Sequence, residues 1–171
     1  MEGQVQRRFI LGDEWLYLKI YSGPKTLESI LVNELSEFVT TLFESQLIDK
    51  FFFVRFSDPD YHLRLRFHVP DNSNLYQVIY GFNRKIKPYI DNRLVWKVCS
   101  DTYNREFERY GKDTISFVET IFSYDSVAVL SFLKGITETG DEKIRWLWGA
   151  KCIDMLMSSF GLSLAEKSGY C

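Results

Sequence analysis

Eight consecutive residues, His62-Leu63-Arg64-Leu65-Arg66-Phe67-His68-Val69, alternate polar and apolar without a break. A period of two marks a strand and sends its two sets of side chains to opposite faces of a sheet. Leu63, Leu65, Phe67 and Val69 then require a core. His62, Arg64, Arg66 and His68 form a cationic stripe on the other face. Like charges two residues apart repel each other, so acidic neighbours or an anion must stand against the stripe. A solvated face with Asp or Glu partners and an anion-binding site both satisfy that need.

The first hundred residues supply partners for this strand. Trp15–Tyr21 alternates too, with Leu16, Leu18 and Ile20 on one side and Trp15, Tyr17, Lys19 and Tyr21 on the other. Ser22-Gly23-Pro24 breaks it, and Pro24 suits a first helical position. Leu27, Ile30, Leu31, Leu35, Phe38, Val39 and Leu42 recur at three- and four-residue steps, which predicts a helix to about Ser45. Phe51–Phe56 reads as a strand that is apolar on both faces, and Ser57-Asp58-Pro59-Asp60 turns it into the alternating strand. Leu75, Val78, Ile79, Phe82, Ile86 and Tyr89 mark a second helix that Pro88 should stop or bend. Leu94–Cys99 is a fourth strand.

The order βαββαβ predicts an α+β fold: a ferredoxin-like antiparallel sheet with two helices on one face, followed by a C-terminal helical segment. The expected layout is one domain over residues 1–171, with a sheet part at about 14–100 and a helical part at about 101–171. Helices are expected at Asp113–Phe122, Ser126–Gly135 and Asp141–Phe160, capped by Asp113, Ser126 and Asp141, with Gly161 as a stop. From Leu162 onward the chain looks like the start of another helix.

Composition narrows the function. Lys and Arg number 21 against 23 Asp and Glu, a net charge of −2, so the chain is not a broadly basic nucleic-acid binder. Cys99, Cys152 and Cys171 lie far apart and fit reduced thiols in a cytoplasmic chain. With two His, no CxxC and no Gly-rich phosphate loop, neither a metal nor a cofactor is expected. No apolar run nears the ~18 residues of a membrane helix, and the N-terminus lacks the apolar stretch of a secretory signal. The 16% aromatic content fits a core or a peptide-binding surface. Trp146 and Trp148 read as core residues, Cys152 as packing, and Glu119 as one half of a capping box with Ser116.

Asp101–Gly111 carries a second cluster. If it is helical, Arg105 and Arg109 share a face, Tyr103 and Tyr110 flank them, and Glu106 reaches Arg109. This is either an ordinary salt-bridged helix or, beside Arg64 and Arg66, a pocket of guanidiniums that fork onto a carboxylate or phosphate.

Phe51–Phe67 resembles the signature of the C-terminal domain of class I lanthipeptide dehydratases, also called the thiopeptide-type bacteriocin biosynthesis domain. Glu14–Tyr21, Thr102–Gly111 and Glu119–Ser126 are similar to it in the same order. The resemblance implies that a larger domain transfers glutamate from glutamyl-tRNA to Ser or Thr of a precursor peptide. This domain type then eliminates glutamate to leave a dehydroamino acid. It implies Arg64, Arg66 and Arg105 as catalytic arginines. His62, Tyr103, Arg109 and Arg55 are the remaining candidates for holding substrate. The implied partners are the precursor peptide and a glutamylating domain or subunit, with no cofactor, no direct nucleic acid and no membrane span, in the cytoplasm. The family's His near its C-terminus has no counterpart before Cys171, so weakened elimination is expected. A non-catalytic peptide-binding subunit and a pyridine-forming cyclase are the alternatives.

Overall fold

The computed structural model describes residues 5–137, 142–163 and 166. The chain divides into two compact units, Met1–Phe132 and Leu133–Cys171.

The first unit opens with β1 (Arg8–Phe9) and β2 (Trp15–Ser22). The predicted first helix follows as α1 (Pro24–Ile30), a π turn over Leu31–Leu35, and α2 (Ser36–Glu44). The hairpin β3 (Lys50–Ser57) and β4 (Tyr61–His68) comes next, then α3 (Leu75–Asp91) and β5 (Val95–Ser100). The four long strands form one antiparallel sheet in the order β3-β4-β2-β5, the ferredoxin-like arrangement read from the sequence. Register decides the faces: Leu18 stands opposite Leu65 and Lys19 opposite Arg64. Leu63, Leu65 and Phe67 are fully buried in one core with Leu27, Leu31, Phe38, Val78 and Phe82 of the helices.

Pro88 does not stop α3; the helix runs on to Asp91. The N–H that Pro88 lacks would have bonded to the Arg84 carbonyl, and Arg84 is exposed in the last turns, where water can take that acceptor.

Beyond β5 the segment 101–111, for which a helix would have put Arg105 and Arg109 on one face, is mostly not helical. Tyr103–Asn104 is a short strand, β6, paired with β1, and only Phe107–Tyr110 is helical, as α4. The two helices expected at 113–122 and 126–135 are one, α5 (Ile115–Thr137). Ser126 does not cap a helix. It sits inside α5 and its hydroxyl accepts the Phe53 N–H at 3.2 Å, while Ser123 accepts the Phe51 N–H at 3.0 Å. These are donors of edge strand β3, so α5 closes an edge that would otherwise stand open. α5 also corrects the expectation that no segment reaches membrane-spanning size: Ile115–Ile136 is long and apolar enough by length and composition, with a mean hydropathy of 1.3. Ser123, Ser126 and the buried Glu119 tie this helix to β3 and to Arg105, while Phe117, Ile121 and Tyr124 on it are exposed.

In the second unit, α6 (Glu142–Ser159) ends as expected at Gly161, where φ is +77°. The Leu162 N–H reaches back to the Met157 carbonyl at 3.2 Å and closes the last turn. Trp146 is not a core residue; it is 81% exposed. Leu147, Ile153, Met155 and Leu156 are also exposed, because the apolar residues are spread around the helix instead of gathering on one stripe. The expected cap Asp141 lies outside the described residues, as do most of the residues expected to start a further helix after Leu162.

Candidate active site

On the face of the sheet opposite α1–α3, a cavity of about 450 Å³ opens between β3, β4, the β6–α4 segment and α5. Arg64, Arg66 and Arg109 line it, with Phe52, Phe56, Tyr103, Tyr110 and Phe122 as apolar wall and Glu106 and Asp125 as acids.

Strand pleat and aromatic stacking place the two strand arginines. The Arg66 guanidinium carbon sits 4.5 Å from the Tyr17 ring centre, 4.8 Å from Tyr103 and 5.1 Å from Phe52. Among the described residues it has no carboxylate partner, and its Nε is buried without a hydrogen bond. Burial pulls Arg66 below the ordinary arginine range; Tyr17 and Tyr103 pull it back up, and Arg64 adds to the lowering. Three rings recover part of the desolvation cost, each worth ~0.5–2 kcal/mol. They leave the fork without the anion it is built to grip. Arg64 lies 3.5 Å from the Phe56 ring centre and donates its Nε–H to His62 Nε2 at 3.0 Å, also without a carboxylate. Neither strand arginine forms a direct ion pair among the described residues, although Glu106 acts on Arg66 and Arg64 acts on Asp101 through space.

The two histidines of the stripe have other work. His62 is buried, stacked on Tyr21, with Nδ1 bonded to the Asp60 carbonyl at 2.8 Å. His68 bonds Asp49 through Nδ1 and lies 3.7 Å from Glu14 through Nε2.

Arg105 does not reach the cavity wall. It follows β6 instead of sharing a helix face with Arg109, and both arms of its fork bind Glu119, Nε to Oε1 and Nη2 to Oε2, each at 2.7 Å. Its third bond goes to the Gln6 carbonyl at 3.0 Å, and its guanidinium stands over Phe9. Burial alone would lower Arg105, but Glu119 leaves it raised. Glu119, fully buried, forms no capping box with Ser116; it is spent on Arg105 and on the Tyr103 hydroxyl at 2.9 Å. Tyr103 therefore presents a ring to Arg66 and its hydroxyl to Glu119. Burial, with Glu119 second, drives that hydroxyl far above the ordinary tyrosine range. Arg55 emerges on the helix-packed face and pairs with Glu28 of α1 at 3.1 Å, away from the cavity. Arg109 takes the place expected for Arg105, partnered loosely by Glu106 at 3.6 Å. Phe52 and Phe56 were legible as the outward positions of a strand apolar on both faces, but nothing local revealed that their rings would underlie arginines. Among the described residues no three His, Cys, Asp or Glu side chains gather for a metal.

The family model for the C-terminal part of lantibiotic biosynthesis dehydratases matches residues 15–171. The chain belongs to that family. It is 30% identical over 131 residues to the nisin biosynthesis protein NisB of Lactococcus lactis subsp. lactis, covering 76% of this chain and 13% of NisB. To the epidermin biosynthesis protein EpiB of Staphylococcus epidermidis it is 27% identical over 157 residues, covering 90% and 15%. Among solved structures, the tRNA-dependent lantibiotic dehydratase MibB from Microbispora sp. 107891 superposes with a TM-score of 0.64 at 29% identity, over 72% of this chain and 12% of MibB. TsrL, at 19% identity and a TM-score of 0.57 over 77% of this chain and 37% of its own, shares the fold. This lantibiotic dehydratase C-terminal chain thus spans 11–15% of the length of the curated relatives it matches.

Proposed function

We propose that the cavity holds a glutamylated Ser or Thr of a lantibiotic-type precursor peptide and promotes loss of glutamate from it. The observation that carries this reading is the pair Arg64 and Arg66: two guanidiniums held on aromatic rings, lining a cavity, neither within 4.0 Å of a carboxylate among the described residues. In the elimination a base takes the Cα proton, its electron pair becomes the Cα=Cβ bond, and the Cβ–O bond breaks to release a glutamyl carboxylate. Charge builds on the peptide amide oxygen and on the leaving carboxylate, and the glutamyl group brings a second carboxylate. Fixed guanidiniums stabilise all three. We assign this role to Arg64, Arg66 and Arg109, with Arg105 stiffening the wall through Glu119 and Tyr103. Glu106 and Asp125 supply negative charge for the glutamyl ammonium.

The base is the weak point. The sequence contains two His. His62 has both ring nitrogens engaged, and His68 is committed to Asp49 and Glu14. The Tyr103 hydroxyl is held by Glu119. This favours, as a second reading, a subunit that presents the glutamylated peptide to a base on a partner, the glutamylating dehydratase domain or subunit being the partner proposed. Incubating the chain with a peptide bearing O-glutamyl serine and following loss of glutamate by mass tests both. We expect binding with turnover depressed by ~10²–10⁴-fold relative to a complete dehydratase, the usual worth of a general base. Fast turnover would remove the subunit reading; absence of binding would remove both.

A further inference from the structure

We infer that His62 is a positioning residue: its neutral imidazole, protonated at Nδ1, holds the Arg64 guanidinium at the angle the cavity uses. The inference rests on the reading of the cavity as a carboxylate site. The tautomer follows from the partners alone. The Asp60 carbonyl at 2.8 Å can only accept, so Nδ1 carries the proton. The Arg64 Nε–H at 3.0 Å can only donate, so Nε2 offers its lone pair. The ring is clamped between Tyr21, with centroids 4.7 Å apart, and Phe56, at 5.5 Å, and it is 1% exposed. It therefore cannot swing away while the sheet is intact.

Arg64 is held from two directions at once. Its guanidinium carbon lies 3.5 Å from the Phe56 ring centre, and His62 engages Nε, so the two terminal nitrogens are the ones left for a ligand of the cavity that Arg64 lines. Without His62 the stacking remains but the rotation about the long side chain is released. A bidentate grip depends on that rotation.

Two variants separate positioning from packing. His62→Phe keeps a ring for Tyr21 and Phe56 and removes the acceptor; His62→Gln keeps an amide oxygen that can accept and cannot be protonated. The first measurement needs no ligand: nitrogen-15 NMR of the full chain, reading the His62 tautomer and water exchange at the Arg64 Nε–H. We expect the Nδ1–H form and slow exchange that becomes fast in His62→Phe, with folding verified by the dispersion of the core amides. An Nε2–H tautomer, or exchange as fast in the wild type as in His62→Phe, overturns the inference. The second measurement is calorimetric titration with an O-glutamyl-serine peptide. We expect about tenfold weaker binding by His62→Phe, as for loss of one hydrogen bond to a charged group, and affinity near that of the wild type in His62→Gln, which keeps an acceptor. Equal affinity of His62→Phe and wild type, with Arg64→Ala weakened, overturns it. If wild type, His62→Phe and Arg64→Ala all fail to bind while the NMR signature holds, the carboxylate reading falls and the positioning of Arg64 stands.

Discussion

Arg66 illustrates what a buried cation costs a fold. A guanidinium drawn out of water onto three rings, with its Nε unbonded and no carboxylate in direct contact among the described residues, is a liability that packing alone does not explain. Arg66→Met keeps the apolar contacts and removes the charge. Its melting temperature should be equal to or above that of the wild type, by up to about 1 kcal/mol in stability, while binding of the glutamylated peptide is lost. A thermal melt and a titration on the same sample check this. A variant that unfolds would show the cation to be structural. At this scale half of the site was legible. The alternation of residues 62–69 gave the facing of Arg64 and Arg66, because a period of two fixes direction. It could not distinguish Arg105 from Arg109. That choice depends on Glu119, fourteen residues on, folding back beneath Tyr103 to take the Arg105 fork.

Elements explain why the cavity has a stable rim. β3 is an edge strand, and two serines one helical turn apart on α5 take the N–H groups it would expose. Ser123→Ala should leave the buried Phe51 N–H unpaired at a cost of about 1–3 kcal/mol and accelerate hydrogen exchange at Phe51 ahead of the β2–β4 amides. Unchanged exchange would show that α5 does not seal the edge. On the other side, Lys19 of β2 pairs with Asp101 just beyond β5. The hydrogen bond from Lys19 is the largest influence on the Asp101 carboxyl and holds it below its usual 3.8, against a smaller opposing effect of burial. A carboxyl depressed in the folded state adds stability above its unfolded value and loses it as pH falls through the folded one. Asp101→Asn should therefore fall behind wild type at pH above the ordinary carboxyl value of 3.8 and converge with it as pH falls through the depressed folded-state value. The difference stays under ~1 kcal/mol because Asp101 is half exposed. Urea midpoints across that range measure it. The strands and first two helices were legible because each carries its own periodicity. The joining of 113–122 to 126–135 was not: Ser126 has the composition of a cap, and only its distant partner Phe53 shows that the helix runs through it.

At the scale of the molecule, the sheet supplies rigidity on one face and the arginines on the other, with the helices of the ferredoxin-like core buried behind them. The chain belongs to the family of lantibiotic biosynthesis dehydratase C-terminal parts. Within that family we propose that this cavity grips a carboxylate-bearing group through the forks of Arg64 and Arg66. The decisive measurement is isothermal titration of the chain with an O-glutamyl-serine peptide, against the same peptide with unmodified serine. Binding should require the glutamyl group and weaken at least about tenfold in Arg66→Lys, since a point charge cannot replace a two-pronged one. Equal affinity for the two peptides, or an Arg66→Lys variant that binds as the wild type does, would contradict it.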